Sequence, residues 1–274
     1  MNMLSFLRRT AFFVLFGGVG CAGAVAAYAR IYSTRLPDYT APELHRLLNG
    51  PKRGRELDER VLSKVPYETH LTNPFVAVED KRFYDHTGFS WSSALTALAR
   101  NAWYAPGERF FGQDYAYAGA STIEQQLAKN LRLARGEERD RTPGLGAAKY
   151  KLEEILIARK ISTDLTKPEI LTVYLNTNNY GANVVGVEAA AYDFFGKRLD
   201  GLSDKELFAL AKTINSPNNF YPHPHPIAIG AWQDRRARLV RTTDAVIENV
   251  QADGTDLWSE AEFETMLAEE LRFR

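Results

Sequence analysis

Residues 119–130 read GASTIEQQLAKN, and this stretch carries the strongest signal for the kind of fold the chain builds. Ser121-Thr122-Ile123-Glu124 has the form of a capping box, in which a hydroxyl and a side chain three residues on satisfy the free amides that open a helix. The spacing predicts a helix starting near Ser121. Ser121, Thr122, Gln125, Gln126, Lys129 and Asn130 then form a dense set of neutral hydrogen-bonding groups with one cation. A helix start also offers amides and a positive dipole end to an anion. Such a face suits sugar hydroxyls, amides and a phosphate, although a plain solvated helix could carry the same residues.

Two further helical stretches lie on either side. In TNPFVAVEDKRFYDHTG, residues 72–88, Thr72 or Asn73 can cap a helix, Pro74 suits its first turn and Gly88 can end it. Glu79 then falls mid-helix beside Phe75, Val78 and Phe83. A carboxylate among apolar groups is partly desolvated, and its pKa rises toward the working pH as a general base requires. In KYKLEEILIARKI, residues 149–161, Leu152, Ile155 and Leu156 are expected to form the apolar face. Lys151 and Glu154, three apart, are neighbours on the helix surface. Taken alone, both acids also fit solvent-exposed charge pairs.

The rest of the chain sets limits. Its 274 residues are 45% hydrophobic and 25% charged, ordinary for a globular protein with a sizeable core. Lys plus Arg equals Asp plus Glu at 34 each, which gives no basic surplus for a nucleic-acid partner. With one cysteine, Cys21, no intramolecular disulfide is possible. Residues 10–29 carry no charge, and twenty helical residues span about the hydrocarbon thickness of a bilayer. Arg8 and Arg9 before them favour a cytoplasmic N-terminus, and Arg30 weakens that bias. Ala24-Val25-Ala26 offers a competing signal-cleavage site and Cys21 a lipid-attachment site. The anchor and signal readings both place residues from about 36 onward outside the inner membrane.

The expected organisation is a cytoplasmic N-terminus over 1–9, a transmembrane anchor over 10–29, and a juxtamembrane stalk over 30–64 with one short helix near Ala41–Leu48. A domain follows over 65–240, then a C-terminal helical extension over 241–274. Period-two alternation and a βαβ rhythm are both missing, so the fold class is mainly α. Phosphate-loop, HExxH and SxxK motifs do not occur. His223 and His225 are spaced like a ligand pair, but the prolines between and around them favour a surface loop.

Together these stretches resemble glycosyltransferase family 51, the peptidoglycan glycosyltransferases. Its first motif, E-D-x-x-F-x-x-H-x-G, is complete from Glu79 to Gly88, and its second, G-x-S-T-I-x-Q-Q-L-x-K-N, from Gly119 to Asn130. The third, R-K-x-x-E, appears as Tyr150-Lys151-Leu152-Glu153-Glu154, with tyrosine in place of arginine. The fourth, E-I-L-x-x-Y-L-N, spans Glu169 to Asn176, and YGANVVGVEAAAYDFFGK, residues 180–197, matches the segment that follows it, with Phe194 where tyrosine is usual. The similarity runs from about Val65 to Arg236.

The resemblance implies a lysozyme-like helical glycosyltransferase domain behind a single transmembrane helix, in a monofunctional enzyme at the inner membrane. It implies polymerisation of lipid II with inversion to β-1,4-linked strands and release of undecaprenyl diphosphate. Glu79 would be the base and Glu154 would aid the leaving group, directly or through Mg²⁺ or Mn²⁺, with no ion obligatory. Lys129 and Lys151 would neutralise diphosphate. Asp80, Phe83, His86, Ser121, Thr122, Gln125, Gln126 and Asn130 would complete the substrate site. Partners would be lipid II, the nascent glycan chain, the membrane and other cell-wall synthesis proteins. The aromatic segment between the first two motifs, residues 101–119, would be a membrane-dipping flap. Tyr150 removes a cation from the diphosphate site and leaves room for an alternative, a weak or inactive homologue that holds lipid II as a scaffold. A lysozyme-like hydrolase is a third reading, disfavoured by the complete second motif.

Overall fold

The computed structural model describes residues 23, 25–49, 67–90, 121–137, 145–228 and 230–274. Most of the expected anchor and the whole aromatic segment 101–119 lie outside them. No helix among the described residues is long and apolar enough to cross a membrane.

The described residues are mainly helical, as expected. Residues 25–33 are helical. Ten helices follow: α1 Ala41–Asn49, α2 Thr69–Glu79, α3 Ile123–Ala134, α4 Leu145–Asp164, α5 Lys167–Thr177, α6 Val187–Phe195, α7 Asp204–Ile214, α8 Pro217–Phe220, α9 Trp232–Ala252 and α10 Glu260–Ala268. The only extended pairing among them is an isolated bridge, Asn179 with Val185. Helix α7 packs against both α2 and α9, α3 lies along α4, and α5 touches α1, α3, α4 and α6.

Burial explains this arrangement. In α7, Leu207, Phe208, Ala209, Leu210 and Ala211 are all buried, so the helix is apolar nearly all round and must be enclosed by neighbours. One core gathers Phe75, Leu127, Ile157, Tyr174 and Leu210. A second gathers Ala77, Phe208, Ile247, Val250, Trp258, Phe263 and Met266. Each large side chain so buried contributes about 1.5–3 kcal/mol. Tyr39, Leu44 and Leu48, in the segment read as stalk, also belong to the first core. The buried Lys205 ammonium is held by Asp244 at 2.7 Å and the Glu269 carbonyl at 2.6 Å, tying α7 to α9 and to the end of α10.

Three local expectations are corrected. Helix α2 begins at Thr69, upstream of Thr72 and Asn73, and Pro74 lies inside it. It ends at Glu79, with Asp80 as C-cap, and does not continue to Gly88. Asp80 leaves the helical region because its carboxylate has better partners across the fold, the Ile123 amide at 3.1 Å and His86 Nε2 at 2.9 Å. Helix α3 is capped by Thr122, whose hydroxyl accepts from the Gln125 amide at 3.2 Å. The capping box is therefore Thr122/Gln125, one residue later than expected, and Glu124 is released to pair with Lys167 at 2.6 Å. In α4, Leu152, Ile155 and Leu156 are only half-buried, while Tyr150, Glu153, Glu154, Ile157, Ala158 and Ile161 face inward. Polar side chains can take the inner face here because Arg132 and Lys151 pair with them.

Gly88 lies in the loop after α2 at φ +81°, and a Cβ there would sit 2.5 Å from the Ala158 carbonyl oxygen. The close approach lets the Thr122 hydroxyl donate to the Gly88 carbonyl at 3.0 Å. Gly88→Ala meets both positive φ and a backbone clash, neither of which a rotamer change relieves. It is expected to destabilise the protein by roughly 2–4 kcal/mol, read as a lower denaturation midpoint at unchanged m-value.

Candidate active site

Glu79, at the end of α2, is 4% exposed. Both of its oxygens are held by neutral amides: Gln126 Nε2 donates to Oε2 at 2.8 Å and Asn215 Nδ2 to Oε1 at 2.7 Å. Gln126 is oriented in turn by the Tyr174 hydroxyl, which donates to its Oε1 at 2.9 Å, so its amide must turn nitrogen-first toward Glu79. Burial pushes the Glu79 carboxyl up to about 7, opposed by the Gln126 hydrogen bond and the charges of Lys212 and Lys129. A carboxyl poised there can take a proton near neutral pH.

A second pole lies on the other flank of α3. Lys151 Nζ reaches Ser121 Oγ at 3.2 Å and Gln125 Oε1 at 3.3 Å, and it pairs with Glu154. Its side chain is 45% exposed, open enough to meet an anion, whereas Glu154 is buried. The adjacent glutamines divide the work: Gln126 serves Glu79, and Gln125 serves Lys151. Neighbouring residues on one turn of α3 thus contact the Glu79 carboxyl and the Lys151 ammonium. Lys129 is exposed, and Asn130 donates to Asn178 Oδ1 at 3.4 Å.

Four residues named as substrate contacts are spent inside the protein. Phe83 and Thr122 are buried, with the Lys167 ammonium 4.1 Å from the Phe83 ring centre. Asp80 accepts from the Ile123 amide and meets His86. Asp80, His86 and Glu124 offer ligand atoms within 4.8 Å of one another. Lys167 takes Glu124 Oε1 and the Ile123 amide meets Asp80 Oδ2, while the buried Glu124 Oε2 and His86 Nδ1 lie 3.9 Å apart with no hydrogen-bond partner; the group joins the first two motifs inside the protein.

Tyr150, where the resemblance expects arginine, is 6% exposed and lies under the Arg132 guanidinium at 3.7 Å. Arg132 does not restore the missing cation to the Lys151 pole, because it is committed to Glu153 at 2.8 Å and Glu137 at 2.6 Å. Lys149 also leans toward Glu153, at 3.6 Å. His223 and His225 lie in a loop, and His223 Nε2 meets the Asp193 carbonyl at 2.8 Å.

The sequence reading missed Tyr174, Asn215 and Lys212. Tyr174 belongs to the fourth motif and was available there. Asn215 and Lys212 come from α7 and carry no local signal.

A helical domain that holds a buried carboxyl near 7 and a half-exposed ammonium through adjacent glutamines of α3 suits group transfer. The family model described as Transglycosylase matches residues 52–244, and the chain belongs to that family. It is 33% identical over 187 residues to a biosynthetic peptidoglycan transglycosylase of Chromobacterium violaceum, covering 67% of this chain and 72% of that protein. It is also similar to penicillin-binding protein 1A of Aquifex aeolicus, at 36% identity over 60% of this chain and 20% of that protein. The corresponding protein of Rickettsia typhi is 29% identical over 92% of this chain and 30% of its own length.

Proposed function

We propose that this chain, a peptidoglycan glycosyltransferase, polymerises lipid II with Glu79 as the base and the Lys151 pole as the diphosphate site. The observation that carries this reading is the double tether of Glu79, buried and held on both oxygens with its carboxyl near 7. A solvated surface acid would have neither feature.

The donor is the growing glycan, linked at C1 to a lipid diphosphate, and the acceptor is the 4-hydroxyl of the incoming lipid II. Glu79 takes the hydroxyl proton as O4 attacks C1. The C1–O bond to the diphosphate breaks on the opposite face, and the α-linkage becomes β. Diphosphate leaves without a strong proton donor, but its growing charge must be met by fixed positive groups. Lys151 supplies a full charge, and Ser121 and Gln125 hold its ammonium in place. Exposed Lys129 adds a second cation to the same face of α3. Were a hard cation such as Mg²⁺ or Mn²⁺ to bind here, Glu154 would be the residue to hold it, in place of its present pairing with Lys151. Such an ion would add charge stabilisation there.

The uncharged run over 10–29 supports a single membrane anchor, which would place the domain at the extracytoplasmic surface where a lipid-linked substrate is met. The test is incubation of the purified protein with labelled lipid II in detergent. Polymer from the wild type and none from Glu79→Gln is the expected result. Polymer that survives the substitution removes Glu79 from the role. Binding of lipid II with no polymer from the wild type replaces the reading with a scaffold.

A further inference from the structure

We propose that Lys212 is a positioning residue for the transfer reaction: its buried ammonium, on the last turn of α7 three residues before the Asn215 that binds Glu79, favours the charged form of the base. The inference rests on the reading of Glu79 as the base.

The geometry starts with α7. Lys212 lies in its last turn and Asn215 is its C-cap, three residues on and so a neighbour on the helix surface. Asn215 donates to Glu79 at 2.7 Å, which fixes where this end of α7 sits. Lys212 is 7% exposed, and its ammonium lies 5.6 Å from the centre of the Phe220 ring. Burial makes the charged ammonium costly, and the Glu79 carboxylate is the charge that offsets this cost. The benefit is mutual, because Lys212 favours the ionised form of Glu79.

The amides alone cannot do this. Gln126 and Asn215 are neutral donors that orient the carboxylate, while the desolvation that raises it is a charge penalty. Lys129, the other cation acting on Glu79, is exposed, so water and salt screen it. The remaining ionisable groups around Glu79 are Asp80 on its own element, Tyr174 on α5 and Tyr180 in the loop after α5. Asp80 opposes ionisation. Burial drives both tyrosines well above their ordinary value, so they remain neutral while Glu79 titrates. Of the two cations named as acting on Glu79, Lys212 is the buried and less screened one.

The experiment is the pH dependence of kcat/KM for lipid II polymerisation in wild type, Lys212→Met and Lys212→Gln. A base must be ionised, so the rate rises with pH through the Glu79 midpoint. Removing a neighbouring positive charge makes ionisation harder, and the rising limb should move to higher pH by roughly half a unit or more. The variants should lose most activity near pH 6 and approach the wild-type rate at high pH. Rising limbs that superimpose on the wild type, with activity unchanged or uniformly lower, would overturn the proposal and leave Lys212 a packing residue. Failure of the base reading itself is distinguishable, because Glu79→Gln would then still polymerise. Should both Lys212 variants fail to fold, the unmutated protein decides through ¹³C-labelled lysine. The Lys212 Cε resonance should step at the pH where Glu79 ionises, and the step should vanish in Glu79→Gln. A resonance without that step in the wild type would refute the coupling.

Discussion

Glu79→Gln is expected to lower the rate of lipid II polymerisation by about 10²–10⁴-fold, the range that removal of a positioned general base produces. Glutamine keeps the shape of the side chain but has no basic oxygen to receive the 4-hydroxyl proton. Lipid II binding should change little, since the pole built around Lys151 remains intact. The same substitution carries a stability signature of opposite sign. Burial raises the Glu79 carboxyl from 4.5 to about 7 in the folded protein. The folded state therefore holds this proton more tightly than the unfolded one, and the penalty for burying the carboxylate appears only as pH rises. It is absent below about 4.5, grows between 4.5 and 7, and is complete above 7, where it is on the order of 3 kcal/mol. Glu79→Gln should relieve part of that cost, because one of the two amide donors then meets another amide nitrogen unless it turns. The variant should melt at least as high as the wild type at pH 8, and the difference should shrink toward pH 5. An inactive variant that is also markedly less stable at pH 8 would point to a structural role for Glu79.

Lys151→Met has the second largest expected effect, a loss of about 10²–10³-fold in kcat. The pole has no visible substitute for this ammonium. Arg132 is bound to Glu153 and Glu137, Lys149 leans on Glu153, and Tyr150 stands where an arginine would otherwise add charge. Removing Lys151 also leaves the buried Glu154 carboxylate without its partner, which would repel a diphosphate. The loss should therefore exceed that of Lys129→Met, whose ammonium is exposed and screened. Single-turnover rates on preformed glycan donor separate this defect from weaker acceptor binding. Equal losses at positions 129 and 151 would remove the special role assigned to Lys151.

Much of this site is legible in the linear order of residues because its parts repay local reading. A hydroxyl followed by glutamate and glutamine announces a helix start, whereas the apolar neighbours of Glu79 left both a buried carboxyl and a solvent-exposed one open. Local rules also err in instructive ways. Pro74 looked like a first-turn residue, yet it lies inside α2, because packing of Leu71, Thr72 and Phe75 extends that helix upstream. Glu124 looked like the capping acid, but the cap went to Gln125 once Lys167 of α5 offered Glu124 a partner. Leu152, Ile155 and Leu156 looked like the buried face of α4, yet charged Glu153 and Glu154 turn inward, since Arg132 and Lys151 wait there.

By itself, then, the sequence determined a mainly helical protein, its family, and the motif-bearing segments that carry Glu79 and the lysines. Those rest on short-range periodicity, capping and motif order, all of which are written along the chain. What only the tertiary structure decided is the state of the base. Gln126 from α3 and Asn215 at the end of α7 hold the two oxygens of Glu79, Tyr174 from α5 orients Gln126, and Lys212 of α7 favours the ionised form of Glu79. Residues 126, 174, 212 and 215 stand far along the chain from position 79, and no local pattern announces their meeting. Desolvation and charge coupling act through space, so the pKa of a buried carboxyl becomes readable only when its neighbours from distant helices are in place.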